Sequence, residues 1–158
     1  MANAFSTAGM IVRYCVESSA GTRPTSGYTP IPGCTALPAL YDDPNMLQCT
    51  PLEATKCHQY IRGLGDSGGS VAITVNDYAA FRTAWGNCIT AYNGLTGGKQ
   101  MWFEFAYPTN ELDSFFFPGE PLPLGFGGAE VDSVLTNTAN IAPTGDYEFG
   151  SATVVISG

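Results

Sequence analysis

Residues 71–75 show the clearest alternation of side chains along the chain. Val71, Ile73 and Val75 fall on one side of the backbone, and the small or polar side chains of Ala72 and Thr74 fall on the other. A period of two residues is typical of a half-buried β-strand. Similar patterns predict further strands at residues 9–17, 46–50, 56–62, 101–107, 131–140 and 147–157.

A Pro-Gly pair separates two other short apolar runs. Residues 113–117 precede Pro118-Gly119, and residues 121–126 follow it. Proline presets the φ angle of a turn and glycine tolerates the backbone conformations that turns require. We therefore predict a hairpin at this point.

From residue 78 the apolar period changes from two residues to that of a helix. One apolar stripe recurs at i, i+3 and i+4 spacing and consists of Tyr78, Phe81, Trp85, Cys88, Ile89 and Tyr92. The stripe predicts an α-helix over about residues 77–93, with Asn76 or Asp77 capping its start and Gly94 ending it. Strands on both sides of one helix predict a mainly β domain, a β-sandwich or barrel with one packed α-helix.

Three segments outside the predicted core are candidates for contacts with other proteins. We predict one domain over residues 1–158, with an N-terminal arm at 1–8 and long loops at 18–33 and 41–56. Loops of that length without regular structure are often functional. The candidate interface residues within these segments are Phe5, Tyr28, Tyr41, Asp42, Asp43 and Met46.

The chain is poor in charge, and its charge is unevenly placed. Charged residues make up 13%, about half of the usual ~25%, which indicates that other protein covers much of the surface. Acids and bases cancel up to Lys99, after which there are eight acids and no base. An acidic surface repels nucleic-acid phosphates, because binding them requires Lys or Arg.

The sequence GDSGG at residues 65–69 matches the segment that carries the nucleophile of chymotrypsin-like proteases. A nucleophilic Ser67 would need a histidine base and a carboxylate to orient that base. His58 is the only histidine, and Asp66 is the only aspartate between it and Ser67. A residue adjacent to the serine cannot also reach behind the imidazole. A triad that borrows Asp42 or Asp113 stays open, but we favour a glycine turn and predict no enzymatic activity.

The sequence also predicts no metal, no cofactor and no membrane segment. The five cysteines are odd in number and include no CxxC pair, which indicates reduced thiols that are mostly buried. Only Cys57 and His58 are adjacent, too few ligands for zinc. Arg13 interrupts the N-terminal apolar run, so we predict no signal peptide, and no run approaches the ~20 residues of a membrane helix. We expect a protein that is made in the cytoplasm.

Three short segments, in this order, resemble the tail tube (major tail) proteins of long-tailed bacteriophages. They are IPGCTALP at residues 31–38, CTPL at 49–52 and YIRGLGDSG at 60–68, and a strand and the helix near Asp77 follow. Each segment is weakly specific alone, and the similarity extends loosely over residues 9–156. The chain departs from the family's usual acidic pattern at residues 41–45.

The resemblance implies a tail-tube fold and a structural role in the virion tail. Subunits of that family close into rings, commonly of six, which stack into a hollow tube. The tube surrounds the tape-measure protein during assembly in the host cytoplasm and passes DNA during ejection. Acidic side chains in the lumen would let DNA slide without sticking. The lumen candidates, for which an ordinary solvated face is the alternative, are Glu104, Asp113, Glu130 and Asp132.

Another virion protein is the alternative. A tail terminator or a capsid decoration protein would share the β content and the low charge. Self-polymerisation distinguishes the two interpretations, because a decoration protein needs a capsid and a tube subunit needs only itself.

Overall fold

The computed structural model describes residues 4–41, 44–64 and 69–153. Within these residues the chain forms one helix and ten strands. In chain order they are β1 (Ile11–Val16), β2 (Thr29–Ile31), β3 (Cys34–Ala36), β4 (Met46–Gln48), β5 (Tyr60–Arg62), β6 (Val71–Asn76), α1 (Ala79–Asn93), β7 (Met101–Ala106), β8 (Ser114–Pro121), β9 (Thr136–Pro143) and β10 (Glu148–Gly150).

Eight of the described strands form one curled, half-barrel sheet. Its order is β2-β1-β7-β8-β9-β6-β3, and β10 pairs with β8 beside this path. All of these pairs are antiparallel. β4 and β5 form a separate two-stranded hairpin. The predicted mainly β fold with one packed helix is confirmed.

One sharp bend in the sheet lies at Pro118-Gly119, inside β8. Residues Phe115–Pro118 pair with β7, whereas Gly119–Pro121 pair with β9. A Cβ atom on Gly119 would lie 2.5 Å from Ile141 Cγ2, so only glycine fits where the strand changes partner. The predicted hairpin at this position is therefore wrong, because the Pro-Gly pair bends one continuous strand.

A second Pro-Gly pair joins the two ends of the sheet path. β2 and β3 are the terminal strands of the path, and only Pro32-Gly33 separates them in sequence. Gly33 has a φ of 88°, a left-handed conformation that favours glycine, and its carbonyl accepts a hydrogen bond from the Asn76 amide at 2.8 Å. The two ends of the sheet path are thus consecutive in the chain, and β2 lies within the predicted loop 18–33.

The helix packs against the inner face of the curl. Phe81, Trp85 and Cys88 are its buried residues, and the Trp85 indole Nε1 donates a hydrogen bond to the Leu122 carbonyl at 2.9 Å. Of the predicted stripe, Phe81, Trp85 and Cys88 are buried and Ile89 and Tyr92 are partly buried against the same core, whereas Tyr78 is 44% exposed. The predicted end at Gly94 is confirmed. The predicted cap is wrong, because Tyr78 occupies the N-cap position without a side-chain hydrogen bond.

Both faces of β7 are buried, although the sequence suggested alternation there. Met101, Phe103 and Phe105 face the core shared with the helix. Trp102 lies on the opposite face and packs with Tyr28 and Phe116 in a second, smaller cluster. The loop that precedes β2 therefore covers the outer face of the sheet.

Glu17 fastens this covering loop to the sheet. Its side chain is buried, and its carboxylate accepts hydrogen bonds from the Trp102 indole at 2.9 Å, the Gln100 amide at 2.8 Å and the Gly21 amide at 3.2 Å. A buried carboxylate is tolerated when its oxygens are hydrogen-bonded in this way. The three bonds connect β1, β7 and the loop after β1.

The last two strands are shorter than the sequence predicts. β9 begins at Thr136, five residues after the predicted start, and β10 ends at Gly150. In β9 the buried residues alternate from Asn137 to Ile141, because they pair with β6. Residues 131–134 pair with no described strand and are exposed. Leu135 is also exposed, although its carbonyl accepts a hydrogen bond from the Asp77 amide.

The bend at Gly119 makes a first prediction. We expect Gly119→Ala to destabilise the subunit by on the order of 2 kcal/mol, because the added methyl overpacks the contact with Ile141. Gly86→Ala is the matched control, since Gly86 lies within α1 with nothing within 4 Å of its Cβ position. Alanine there should stabilise the helix by up to ~1 kcal/mol. Urea denaturation of dispersed subunits measures both, and equal effects would contradict the assignment.

Removal of the Glu17 carboxylate makes a second prediction. Glu17→Ala leaves three donors without their acceptor in a buried site, so we expect the free energy of unfolding to fall by on the order of 3 kcal/mol. Glu53→Ala removes an exposed carboxylate and should change it by less than about 0.5 kcal/mol. A loss with Glu17→Ala no larger than that of the control would show that the loop is held by other contacts.

Candidate assembly surfaces

The hairpin, residues 44–64, is paired only with itself among the described strands. Leu47 lies opposite Ile61, and Gln48 lies opposite Tyr60. The pairing continues towards the tip, where the Cys49 amide donates to the Gln59 carbonyl at 2.8 Å. An isolated two-stranded hairpin is marginally stable in water, so this one is suited to packing against another surface.

Both faces of the hairpin carry exposed apolar side chains. Leu47 and Ile61 share one face, and Ile61 is 55% exposed. Met46 and Tyr60 lie on the other face and are also exposed. Leu52, beyond the paired residues, is fully exposed. Contiguous apolar surface of this kind marks protein–protein contact sites.

A second exposed surface is the acidic segment, residues 126–135. It contains Glu130 and Asp132 and no base, and Val131 between them is 97% exposed. Phe126 and Val134 are exposed as well. The chain just before it is anchored to β9, because the Asn137 side-chain amide donates to the Gly125 carbonyl at 2.8 Å.

The structure removes Glu104 from the lumen candidates. Its side chain has no exposed surface, and its carboxylate pairs with Arg13 at 3.5 Å. The Thr153 hydroxyl and backbone amide also donate to it. Glu104 therefore binds the C-terminal segment to the outer face of β7 and cannot face a channel.

Tyr28 is likewise wrong as an interface residue. It is 5% exposed, it packs on Phe116 with ring centroids 5.8 Å apart, and its hydroxyl donates to the Pro24 carbonyl at 2.9 Å. Burial raises the pKa of its phenol well above the ordinary value. The side chain contributes to the second core and is not available to a partner.

The other candidates are exposed or lie outside the described residues. Phe5, Tyr41 and Met46 are exposed, as a contact with another protein requires. Asp113 is exposed, as are Glu130 and Asp132. Asp42 and Asp43 lie outside the described residues.

The sequence analysis missed several of the most exposed apolar residues. Leu52 and Leu64 lie in segments without a periodic pattern, whereas Phe126 and Val131 lie in the predicted strands 121–126 and 131–140, which do not form at these residues. The signal that could have found them is an apolar side chain among Gly, Pro and charged neighbours. Such a residue has no regular element to pack it, so it stays exposed.

The geometry around His58 gives no support to a catalytic triad. Its ring is exposed, and Nδ1 lies 2.8 Å from the Gln48 side-chain amide and 3.4 Å from the Thr50 hydroxyl. Within the part of the chain that the structure describes, no carboxylate contacts the ring. Ser67 and Asp66 lie outside the described residues.

The cysteines are free but not mostly buried. Cys88 is buried, Cys15 and Cys34 are half-buried, and Cys49 and Cys57 are exposed on the hairpin. Burial raises the pKa of the Cys34 thiol to about 11 and that of Cys88 to about 12, so both are protonated near neutral pH.

Neither a metal site nor a membrane helix is found where the structure can be described. No group of three His, Cys, Asp or Glu side chains in residues 4–41, 44–64 and 69–153 could hold a metal ion. The helix within the same ranges lacks the length and apolar character needed to span a membrane.

Sequence comparisons do not identify the chain. No protein-family model matches it, and no curated protein matches it.

Comparison of folds finds chains from phage-like particles. A chain in the six-fold symmetrised baseplate of the anti-feeding prophage matches with a TM-score of 0.67 and 9% identity, covering 98% of this chain and 100% of that one. Chains in the six-fold symmetric tail of an empty gene transfer agent particle and in the virion of the native particle each match with a TM-score of 0.61 and 13% identity. Each match covers 94% of this chain and 100% of the other. The chain therefore shares its fold with components of phage-like tail and baseplate particles.

Proposed function

We propose that this protein is a structural virion protein of the phage-tail type, a tail tube subunit. Its copies close into rings, expected to be hexamers, and the rings stack into a hollow tube through which DNA is delivered. The observation that carries this proposal is the hairpin, which exposes apolar side chains on both faces and pairs with none of the other described strands of its own subunit. A neighbouring copy would cover those faces.

Two further observations support self-assembly. The chain has only 13% charged residues, which suits a surface buried above, below and beside by other copies. It also shares its fold with chains from particles of six-fold symmetry. We transfer that symmetry to this protein as part of the proposal.

The proposed partners follow from a tube. They are further copies of the same chain, a tape-measure protein inside the tube during assembly, and other tail proteins at its ends. DNA passes without specific binding, and no membrane or enzymatic step is involved. Assembly takes place in the host cytoplasm, and the mature location is the virion tail.

We propose Asp113 as a lumen residue. It is exposed immediately before β8, and a carboxylate there would repel the DNA backbone and so prevent sticking. Glu130 and Asp132 fit a lumen less well, because the same segment carries the exposed apolar side chains of Phe126, Val131 and Val134, which a channel for DNA does not need.

The second candidate function is a virion ring that does not elongate, such as a tail terminator or a baseplate ring. The fold match to a chain of a baseplate particle favours this alternative. A capsid decoration protein, by contrast, would need a capsid and would form neither rings nor tubes by itself. A tube subunit stacks its rings without limit, whereas a ring component stops after one ring.

The hairpin gives the test of the proposal. Negative-stain microscopy over a concentration series should show rings and hollow tubes for the wild-type protein. Ile61→Asp should abolish them, because assembly would bury an unpaired carboxylate. Leu112→Asp is the control, since Leu112 is an exposed apolar residue outside the hairpin, and it should assemble normally.

Circular dichroism and the melting temperature establish that both variants fold. Single rings at every wild-type concentration would favour the terminator or baseplate alternative. Monomers at every concentration, or normal tubes with Ile61→Asp, would contradict the hairpin as an assembly contact.

Thiol labelling tests the position of Asp113. In tubes of Asp113→Cys, a small maleimide should modify residue 113, and a maleimide attached to a large polymer should not, because only the small reagent can diffuse along the lumen. In dispersed subunits both reagents should react. Mass spectrometry of the peptide that contains residue 113 separates its signal from those of the native cysteines. Reaction of the tubes with both reagents would place the residue outside, and reaction with neither would place it in an interface.

A further inference from the structure

We propose that the hairpin of one subunit docks on the acidic segment of a second copy, with Lys56 facing Glu130 and Asp132. This inference rests on the proposed function, because it names the surface that receives the hairpin. It is carried by the way both surfaces are attached to the fold, by their charges and by their exposed apolar side chains.

The two surfaces are attached to opposite ends of one strand. The chain coming from the hairpin enters β6 at Val71, and the acidic segment meets the other end of β6, where Asn76 pairs with Thr136 and the Asp77 amide donates to the Leu135 carbonyl at 3.0 Å. A six-residue strand is roughly 20 Å long. The arrangement favours contact between different copies over contact within one.

Charge distinguishes Lys56 from most other bases of the chain. Arg13, Arg23 and Arg82 form ion pairs within the subunit. For instance, Arg82 hydrogen-bonds Asp77 and lowers the pKa of its carboxyl. Lys56 is exposed beyond the paired strands of the hairpin and has no ion-pair partner among the described residues.

The acidic segment has the complementary charge. Glu130 and Asp132 are exposed, and neither forms an ion pair with a described residue. The segment contains no base that could neutralise them. A lysine from a second copy would supply the opposite charge and direct the encounter.

Apolar side chains accompany the charges on both surfaces. Leu52 is exposed in the same loop at the tip of the hairpin as Lys56, and Val131 is exposed between the two acids. Docking would remove both side chains from water, which is the main favourable contribution to most protein associations. In the proposed contact Leu52 and Val131 supply affinity. The charges of Lys56 and of the two acids fix the relative position of the two surfaces.

Such a contact is head-to-tail. It uses a different surface on each copy, so an open assembly has a free hairpin at one end and a free acidic segment at the other. Heterologous contacts of this type close into rings or propagate along an axis. Either result is compatible with a tube made of stacked rings.

Two charge-reversed proteins provide the test. One carries Lys56→Glu, and the other carries Glu130→Lys together with Asp132→Lys. Each alone places like charges at every contact, so we expect the critical concentration for assembly to rise on the order of tenfold or more. An equimolar mixture should assemble like the wild type, because alternating copies restore opposite charges at every contact.

Matched controls carry the same charge changes elsewhere. Lys99→Glu reverses an exposed lysine outside the hairpin, and Glu111→Lys with Asp146→Lys reverses two exposed acids outside the acidic segment. Both should assemble alone. Sedimentation and negative-stain microscopy measure the assembled fraction.

The possible outcomes separate this inference from the proposed function. Wild-type tubes together with charge-reversed proteins that assemble alone, or that fail to assemble when mixed, would overturn the docking pair and leave the tube proposal standing. A wild-type protein that stays monomeric at every concentration would overturn both. Assembly of the mixture alone would support the docking pair.

Discussion

The fold depends on two Pro-Gly pairs, at each of which the backbone passes from one part of the sheet to another. At Pro118-Gly119, β8 leaves β7 and joins β9, and at Pro32-Gly33 the chain passes from β2 to β3. Proline cannot donate to a ladder and glycine permits close approach of a neighbouring chain. These two pairs curl the sheet, and the curl forms the inner face on which α1 packs. They also fix the position of β6 in the sheet. The hairpin is attached to one end of β6 and the acidic segment to the other.

The outer face of the sheet is covered by irregular chain, which explains the buried acids. Glu17 holds the loop before β2 through three hydrogen bonds, and Glu104 holds the C-terminal segment through Thr153 and Arg13. Leaving such carboxylates unpaired in the interior would be costly. Each therefore specifies one position for its segment. Because these segments bury the apolar side chains on the outer face of the sheet, that face is not the main exposed apolar surface. Several of the exposed apolar side chains lie instead on the hairpin and the acidic segment.

The sequence predicts the elements that local patterns determine. The strand at residues 71–75 and the helix at 77–93 agree with β6 and α1, because a period of two or 3.6 residues is a property of the element itself. Pro118-Gly119 was misassigned, since the same pair suits a hairpin turn and a bend in a strand. The choice depends on β9, which lies more than fifteen residues further along the chain.

The candidate site was less predictable than the fold for the same reason. Tyr28 and Glu104 are in polar or alternating sequence that predicts exposure, yet segments distant in sequence bury them. Met46 and Tyr41 are exposed as expected, because the chain around them makes few contacts with the sheet. Burial by a distant segment leaves no local pattern, so sequence alone cannot separate these cases.

The distribution of charge connects the fold to the proposed assembly. Three of the six bases, Arg13, Arg23 and Arg82, form ion pairs with acids of their own subunit. Arg23, for example, pairs with Glu148 at 2.6 Å and so helps to hold two segments of the subunit together. Few bases are then available for ion pairs between copies. Exposed apolar area must therefore supply most of the affinity of one copy for another. The hairpin is attached to one end of β6 and the acidic segment to the other. Because the two apolar surfaces are separated in this way, those of one subunit do not cover each other. In the proposed tube every added copy covers one surface and presents another, so growth ends only where a different protein covers the last one.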